Sequence, residues 1–186
     1  ASAGRAVLGT DVRIADENDL EVPYGTVGEL QVRGPQVMTG YWNKPEATAE
    51  TLKDGWMHTG DAAKMDERGY IYIQDRIKDM IVSGGENIYP AEVENALFQH
   101  PAVADAAVIG IPSEQWGESV MAFLVLQGEE KPTTEELIEF CRERLAGYKL
   151  PRQVELVDVL PRNASGKVLK NQLREPYWEG IERKVN

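Results

Sequence analysis

The chain has 186 residues, 42% of them hydrophobic and 27% charged, enough for one core of ordinary size or two small ones. Its formal net charge of −11 argues against a nucleic-acid partner, because phosphate binding needs a basic surface. No apolar run is long enough to span a bilayer and Ala1-Ser2-Ala3-Gly4-Arg5 lacks a signal-peptide core, so no transmembrane segment and a cytoplasmic location are expected.

In chain order, Asp11 to Ala15 and Val27 to Arg33 alternate apolar with polar residues around a turn at Pro23-Tyr24-Gly25, which predicts two antiparallel strands. Pro45 opens a short helix through Glu50. Trp56 to Ala63 and Tyr70 to Asp75 follow as strands joined by the hairpin turn Asp66 to Gly69. After Arg76 the character changes. Ile77 to Val82 leads into the loop Ser83-Gly84-Gly85-Glu86-Asn87, and Pro90 opens a helix with Val93, Ala96 and Leu97 on one face. Val103 to Ile109 and Val120 to Leu126 read as strands, and Thr133 to Leu145 as an amphipathic helix capped by Thr133 or Thr134. Gln153 to Val157 is a third strand and Val168 to Arg174 a last helix. No repeat and no regular βαβ alternation is present, so the fold class is α+β: a β-rich part over residues 1–76, then an α+β domain over 77–186 on a small three-stranded sheet. Cys141 stands alone among apolar residues, which leaves no disulfide framework or thiolate metal site and marks it as a core residue.

The charge is uneven. Between Arg142 and Arg174 eight basic residues stand against three acidic ones, a basic island that suits a small polyanion better than a polymer, unless it is only a solvated basic face. Within it, Pro161 to Lys170 sets Lys167 after a glycine-containing turn and before a helical pattern, where an ammonium and unpaired helix N–H groups together would attract phosphate or carboxylate. This is not a P-loop, which needs a glycine well upstream and Ser or Thr directly after the lysine; here Val168 follows. Taken in isolation, Ser165-Gly166-Lys167 reads as an ordinary surface turn with a solvated lysine.

Taken together, His58-Thr59-Gly60-Asp61, the stretch from Asp75 to Pro90, and Pro161 to Lys167 resemble the C-terminal third of the adenylate-forming acyl-CoA synthetases. The upstream Gly34 to Trp42 with Pro45 to Thr48 is similar to the end of that family's large domain, and Lys78 to Asn87 resembles its fatty-acyl branch. The resemblance implies an ATP-dependent ligase in which a carboxylate, a fatty acid in this branch, attacks the α-phosphate of ATP and the thiol of CoA then displaces AMP. It implies that Asp61 and Arg76 hold the ribose hydroxyls, that Lys167 bridges the substrate carboxylate and the α-phosphate, and that Lys78 is the hinge of a mobile C-terminal domain. Ser83, Gly84, Gly85 and Glu86 would form the CoA-binding loop. Singly, Asp61 reads as a turn former and the glycines as a plain loop before a helix.

Where many relatives carry arginine this chain has Asn87, so a contact made by that guanidinium is not expected here. The family's phosphate loop, and the segment carrying its Mg²⁺ ligand, are absent from these residues, and the first residue is Ala1 rather than methionine. The expectation is a C-terminal fragment, inactive alone. A carrier-protein-loading or oxidative adenylating enzyme, or a non-catalytic module, are the alternatives. Acyl chain length and oligomeric state are not legible.

Overall fold

In the computed structural model, residues 1–128 and 131–181 are described. They form two compact units divided between Ile77 and Lys78.

The first unit is an antiparallel sheet. Its strands are β1 (Asp11–Ala15), β2 (Gly28–Arg33), β3 (Leu52–Lys53), β4 (Trp56–Met65) and β5 (Ile71–Arg76), in the order β1-β2-β4-β3 with β5 also on β4. The ten-residue β4 pairs with β3 through Trp56 and Met57 and with β5 from Asp61 onward, which makes it the spine of the sheet. One face buries Ile14, Ala63 and Ile71 against Val12, Leu30 and Met65, the set that period-2 alternation selects. The β4–β5 turn is fixed by Asp66, whose carboxylate accepts from the amides of Arg68 and Tyr70 and from the Tyr72 hydroxyl. The Tyr70 amide, above all, holds that carboxyl below its usual range. Helix α1 (Pro45–Thr51) connects β2 to β3 and starts with proline at its first turn.

The second unit is α+β as expected, but its sheet has five strands rather than three. They are β6 (Ile81–Ser83), β7 (Glu86–Ile88), β8 (Val103–Ser113), β9 (Gly117–Leu126) and β10 (Gln153–Leu156), in the order β10-β9-β6-β7 with β8 also on β9. The two unforeseen strands are three residues each, too short to show a period, and the segment read as a loop is the hairpin that joins them. All pairings are antiparallel except β10 on β9.

Helices cover both faces of this sheet. Helices α2 (Pro90–Leu97) and α3 (Thr134–Arg142) bury Val93, Leu97, Leu137 and Cys141 against Val108, Val120 and Leu124. Helix α4 (Lys170–Trp178) brings Leu173 and Tyr177 over Ala107, Ile109, Met121 and Phe123. Because both faces are covered, residues 106–112 of β8 and 120–126 of β9 are continuous apolar runs rather than alternating ones. Helix α3 begins at a full capping box, with the Thr133 hydroxyl accepting from the Glu136 amide and the Glu136 carboxylate from the Thr133 amide.

Helix α4 starts at Lys170, not Val168. Residues 162 and 168 instead pair as an isolated bridge, which keeps the preceding turn extended beyond Lys167.

Candidate functional site

In the first unit, Asp61 and Arg76 are directly opposed across β4 and β5. Arg76 Nε donates to Asp61 Oδ1 at 2.8 Å and Arg76 Nη1 to the Thr59 carbonyl at 3.1 Å, so the guanidinium is gripped from two sides. The arginine side chain is 51% exposed and the aspartate 26%, so the pair faces outward. A carboxylate with one oxygen so engaged keeps the other for a vicinal diol, and the guanidinium has further N–H groups to donate.

Asp61 reaches this position through a bulge. Between the pairs Gln31 with His58 and Glu29 with Ala62, β2 advances by two residues and β4 by four. Gly60 takes φ +71° there, a conformation that glycine tolerates. The Thr59 hydroxyl donates to the Leu30 carbonyl and accepts from the Asp61 amide.

Behind the bulge, Asp19, Glu29 and His58 converge with one donor atom each within 4.8 Å of one another. They do not suit Mg²⁺, which takes oxygen donors. Nor is the centre open, because the amide nitrogen of fully buried Gln31 lies 2.6 Å from Asp19 Oδ1 and 3.4 Å from Glu29 Oε2. Arg13 Nε donates to Gln31 Oε1 at 2.8 Å and fixes that orientation. The cluster is a hydrogen-bond network.

In the second unit, Lys167 lies on a turn three residues before α4, so the helix-terminus argument does not apply to it. Asn163 builds the turn: its side-chain oxygen accepts from the amides of Ser165 and Lys167 and from the Ser165 hydroxyl. Gly166 closes it at φ +82°. Arg162 pairs with Asp105 on one shoulder, and Lys170 with Glu94 at 2.7 Å on the other.

The basic island is largely neutralised. Of its eight cations, Arg142, Arg144, Lys149, Arg162, Lys170 and Arg174 have carboxylate partners, and Arg152 lies over the Trp116 ring. Lys167 is exposed and makes no ion pair among the described residues. What distinguishes it is therefore its isolation as a charge on a rigid turn, not membership of a cationic field.

Gly84 and Gly85 are the two central residues of the β6–β7 hairpin, with φ +61° and +85°. Two successive positive φ values are the signature of a primed turn, which splays no strands and favours glycine at both positions. The turn is tied to β9's leading edge, where the Gly84 amide donates to the Trp116 carbonyl at 2.8 Å. A Cβ on Gly84 would lie 2.9 Å from the Trp116 ring, whereas one on Gly85 would meet open space. Glu86 and Asn87 are exposed on β7, and Ser83 is buried. Lys78 is exposed in a 3₁₀ turn, Ile77–Asp79, at the division between the units.

Sequence reasoning missed Glu29 and Trp116. Glu29 stands in a plain strand alternation, and Trp116 is some thirty positions from the turn it touches, so neither carries a local signal.

Residues 92–167 match the AMP-binding enzyme C-terminal domain and residues 1–42 the AMP-binding enzyme domain. The chain is 48% identical over 185 residues to a fatty acid–[acyl-carrier-protein] ligase of Streptomyces coeruleorubidus, covering 100% of this chain and 36% of that protein. It is 49% identical over 184 residues to a long-chain-fatty-acid–CoA ligase of Escherichia coli O157:H7, covering 99% of this chain and 33% of that protein. Its structure superposes on o-succinylbenzoate CoA synthetase from Bacillus subtilis in complex with its acyl-adenylate intermediate, with TM-score 0.88 and 44% identity over 92% of this chain and 35% of that one. The chain thus spans about a third of the length of the relatives it matches. Two matched domains in family order, and near-complete alignment to ligases at almost half identity, show that the chain belongs to the AMP-binding, adenylate-forming enzyme family.

Proposed function

We propose that the chain works within a ligase of its relatives' full length. In that reaction a carboxylate oxygen attacks the α-phosphorus of ATP and pyrophosphate leaves, giving an acyl-adenylate. A thiol sulfur then attacks the acyl carbon, its proton is released, and AMP leaves. The observation that carries the reading is the Asp61–Arg76 pair, an outward-facing carboxylate and guanidinium locked on adjacent strands, suited to the two ribose hydroxyls of ATP. Lys167 supplies an exposed ammonium, without an ion pair among the described residues, on a pre-formed turn, suited to the charge that moves between substrate carboxylate and α-phosphate. Mg²⁺ would accompany ATP; the acidic cluster found among the described residues, Asp19, Glu29 and His58, is taken up by its own hydrogen bonds, and in this reading the Mg²⁺ ligand lies in the remainder of such a ligase.

The acyl group is a fatty acid and the thiol is that of CoA in this reading. The form of Lys78 to Asn87 supports both, and a relative named as a fatty-acid–CoA ligase supports them further. Lys78 is the hinge, at the one residue pair where the two units divide. Gly84, Gly85 and Glu86, with the backbone of Ser83, present the thiol-bearing arm of CoA with a flat turn, beside the partly exposed Trp116 indole. The cytoplasm, where ATP and CoA are both supplied, is the compartment that fits. A carrier-protein thiol in place of CoA is the second reading, favoured by the relative that loads an acyl carrier protein.

The test is ATP–pyrophosphate exchange by the full-length protein over a series of carboxylic acids, followed by thioester assay with CoA or holo-carrier protein. Exchange with fatty acids, and product only with CoA, is the expected outcome. No exchange with any carboxylate defeats the reading.

A further inference from the structure

The bulge that carries Asp61 is held by a carboxylate outside every motif. The Gly60 amide donates to Glu29 Oε1 at 3.0 Å rather than into the strand ladder. The other oxygen of Glu29 lies 2.7 Å from His58 Nδ1 and 3.4 Å from the amide nitrogen of Gln31. His58 Nε2 in turn faces Asp19 Oδ1 at 3.5 Å. The Glu29 and His58 side chains are only 18% and 12% exposed, so water replaces these contacts poorly.

We propose that Glu29, braced by His58, is a positioning residue for the nucleotide: by fixing the Gly60 amide it sets the direction in which Asp61 meets the ribose. This rests on the reading that Asp61 and Arg76 hold that sugar. The physical reason is preorganisation. Glycine at positive φ has a wide range of alternatives, so the bulge needs an external acceptor to stay in one of them. Glu29 is that acceptor. Its two oxygens are divided between Gly60 on one side and His58 with Gln31 on the other, so the carboxylate cannot rotate without losing a partner. Gln31 is itself aimed by Arg13, which extends the brace to β1.

The mechanism separates binding from chemistry. Glu29 touches the bulge backbone and not the reacting atoms, so its loss weakens the hold on the ribose and leaves the carboxylate substrate's site alone.

The experiment uses the full-length ligase carrying this chain, with Glu29→Ala, Glu29→Gln, His58→Gln and Asp61→Ala, and reads KM for ATP and KM for the carboxylate in pyrophosphate exchange. Glu29→Ala is expected to raise KM for ATP about tenfold, the effect of losing one charge-assisted hydrogen bond, with KM for the carboxylate unchanged. Glu29→Gln keeps a carbonyl for the Gly60 amide and should restore KM for ATP to within about threefold of wild type. His58→Gln, which leaves Glu29 in place but unbraced, should fall between them and keeps the test open if Glu29→Ala does not fold. Equal effects of Ala and Gln at position 29, or a parallel rise in both KM values, would reduce Glu29 to general stability and overturn the proposal. An unchanged KM for ATP in Glu29→Ala alongside a raised one in Asp61→Ala overturns it as well, while the ribose reading stands. A silent Asp61→Ala defeats the ribose reading itself, and this inference with it.

Discussion

Arg174 Nη2 donates to Asp79 Oδ1 at 3.0 Å across 95 positions of sequence, joining α4 to the residue that follows Lys78. Both side chains are about 85% covered, at 14% and 15% exposure, and Arg174 Nε is buried with no hydrogen-bond partner. The bridge ties the helix after the Lys167 turn to Asp79, at the start of the second unit.

Breaking such a pair from one side strands a charge. Arg174→Met should lower the stability of the second unit by about 3 kcal/mol in urea unfolding of this chain, because Asp79 is left covered and unpaired. The double variant Asp79→Asn with Arg174→Met should cost less than the sum of the single variants, since neither retains an uncompensated charge. Additive losses would show that the two side chains do not interact energetically.

Much of the architecture was legible because the physics is local. Proline at the start of α1 and α2, the Thr133 cap of α3 and the Asp66 turn each fix an element within a few residues. The candidate site was legible only where it is contiguous. Asp61 and Arg76 each sit in short motifs, yet their opposition depends on a register that a bulge has shifted. Glu29 and Trp116 act through contacts that only the folded sheet creates, and β6 and β7 are too short to have a period. The basic island misled because sequence counts charges without their partners: Glu92 and Glu94 lie in α2, far upstream of the lysines they neutralise.

Gly84 and Gly85 separate backbone strain from contact. Alanine at either position forces an L-residue into left-handed space, at a cost of about 1 to 2 kcal/mol. Only at Gly84 does the new Cβ also meet the Trp116 ring, so Gly84→Ala should melt this chain at a lower temperature than Gly85→Ala. Adding Trp116→Ala should recover part of the Gly84→Ala loss and none of the Gly85→Ala loss. In the full-length ligase, Gly85→Leu should spare pyrophosphate exchange and impair thioester formation, as expected if bulk enters the path of the thiol. Equal impairment of both steps would argue for a folding effect alone.

Cys141 is fully buried on the inner face of α3, and burial pushes its thiol above the ordinary range despite the opposing charge of Arg144. The folded chain therefore keeps this proton at a pH where the unfolded chain has begun to lose it. The sign follows directly: this contribution to stability is whole below the unfolded thiol's value, about 8.5, and declines as pH rises above it. Iodoacetamide at pH 8 should label the unfolded chain within minutes and leave the folded chain unlabelled. Rapid labelling under native conditions would mean that α3 opens far more often than its packing implies.

Lys167 is exposed, makes no ion pair among the described residues and is held through the backbone of its turn, so its side chain should contribute to chemistry without contributing to the fold. Lys167→Ala should leave the melting temperature of this chain unchanged and reduce pyrophosphate exchange by the full-length ligase about 10²-fold, the effect typical of removing one preorganised charge-stabilising group. Thioester formation from supplied acyl-adenylate should survive. Equal losses in both half-reactions would remove Lys167 from the adenylation step.

Lys78 gives the sharpest test of motion. The chain passes from one compact unit to the other between Ile77 and Lys78, inside one 3₁₀ turn, and enters β6 at Ile81. A rotation of the second unit would have to be absorbed by φ and ψ in this short stretch, because the strands on either side are locked into their sheets. Proline at 78 fixes its own φ near −65° and restricts Ile77 as well. In the full-length ligase Lys78→Pro should therefore keep pyrophosphate exchange near wild type and lower CoA-dependent turnover about tenfold or more, the mark of a gating step that has become limiting. Lys78→Gly, which widens the accessible φ, should support both steps. If Lys78→Pro retains wild-type rates in both, no hinge operates at this residue and the two half-reactions proceed in one arrangement of the protein.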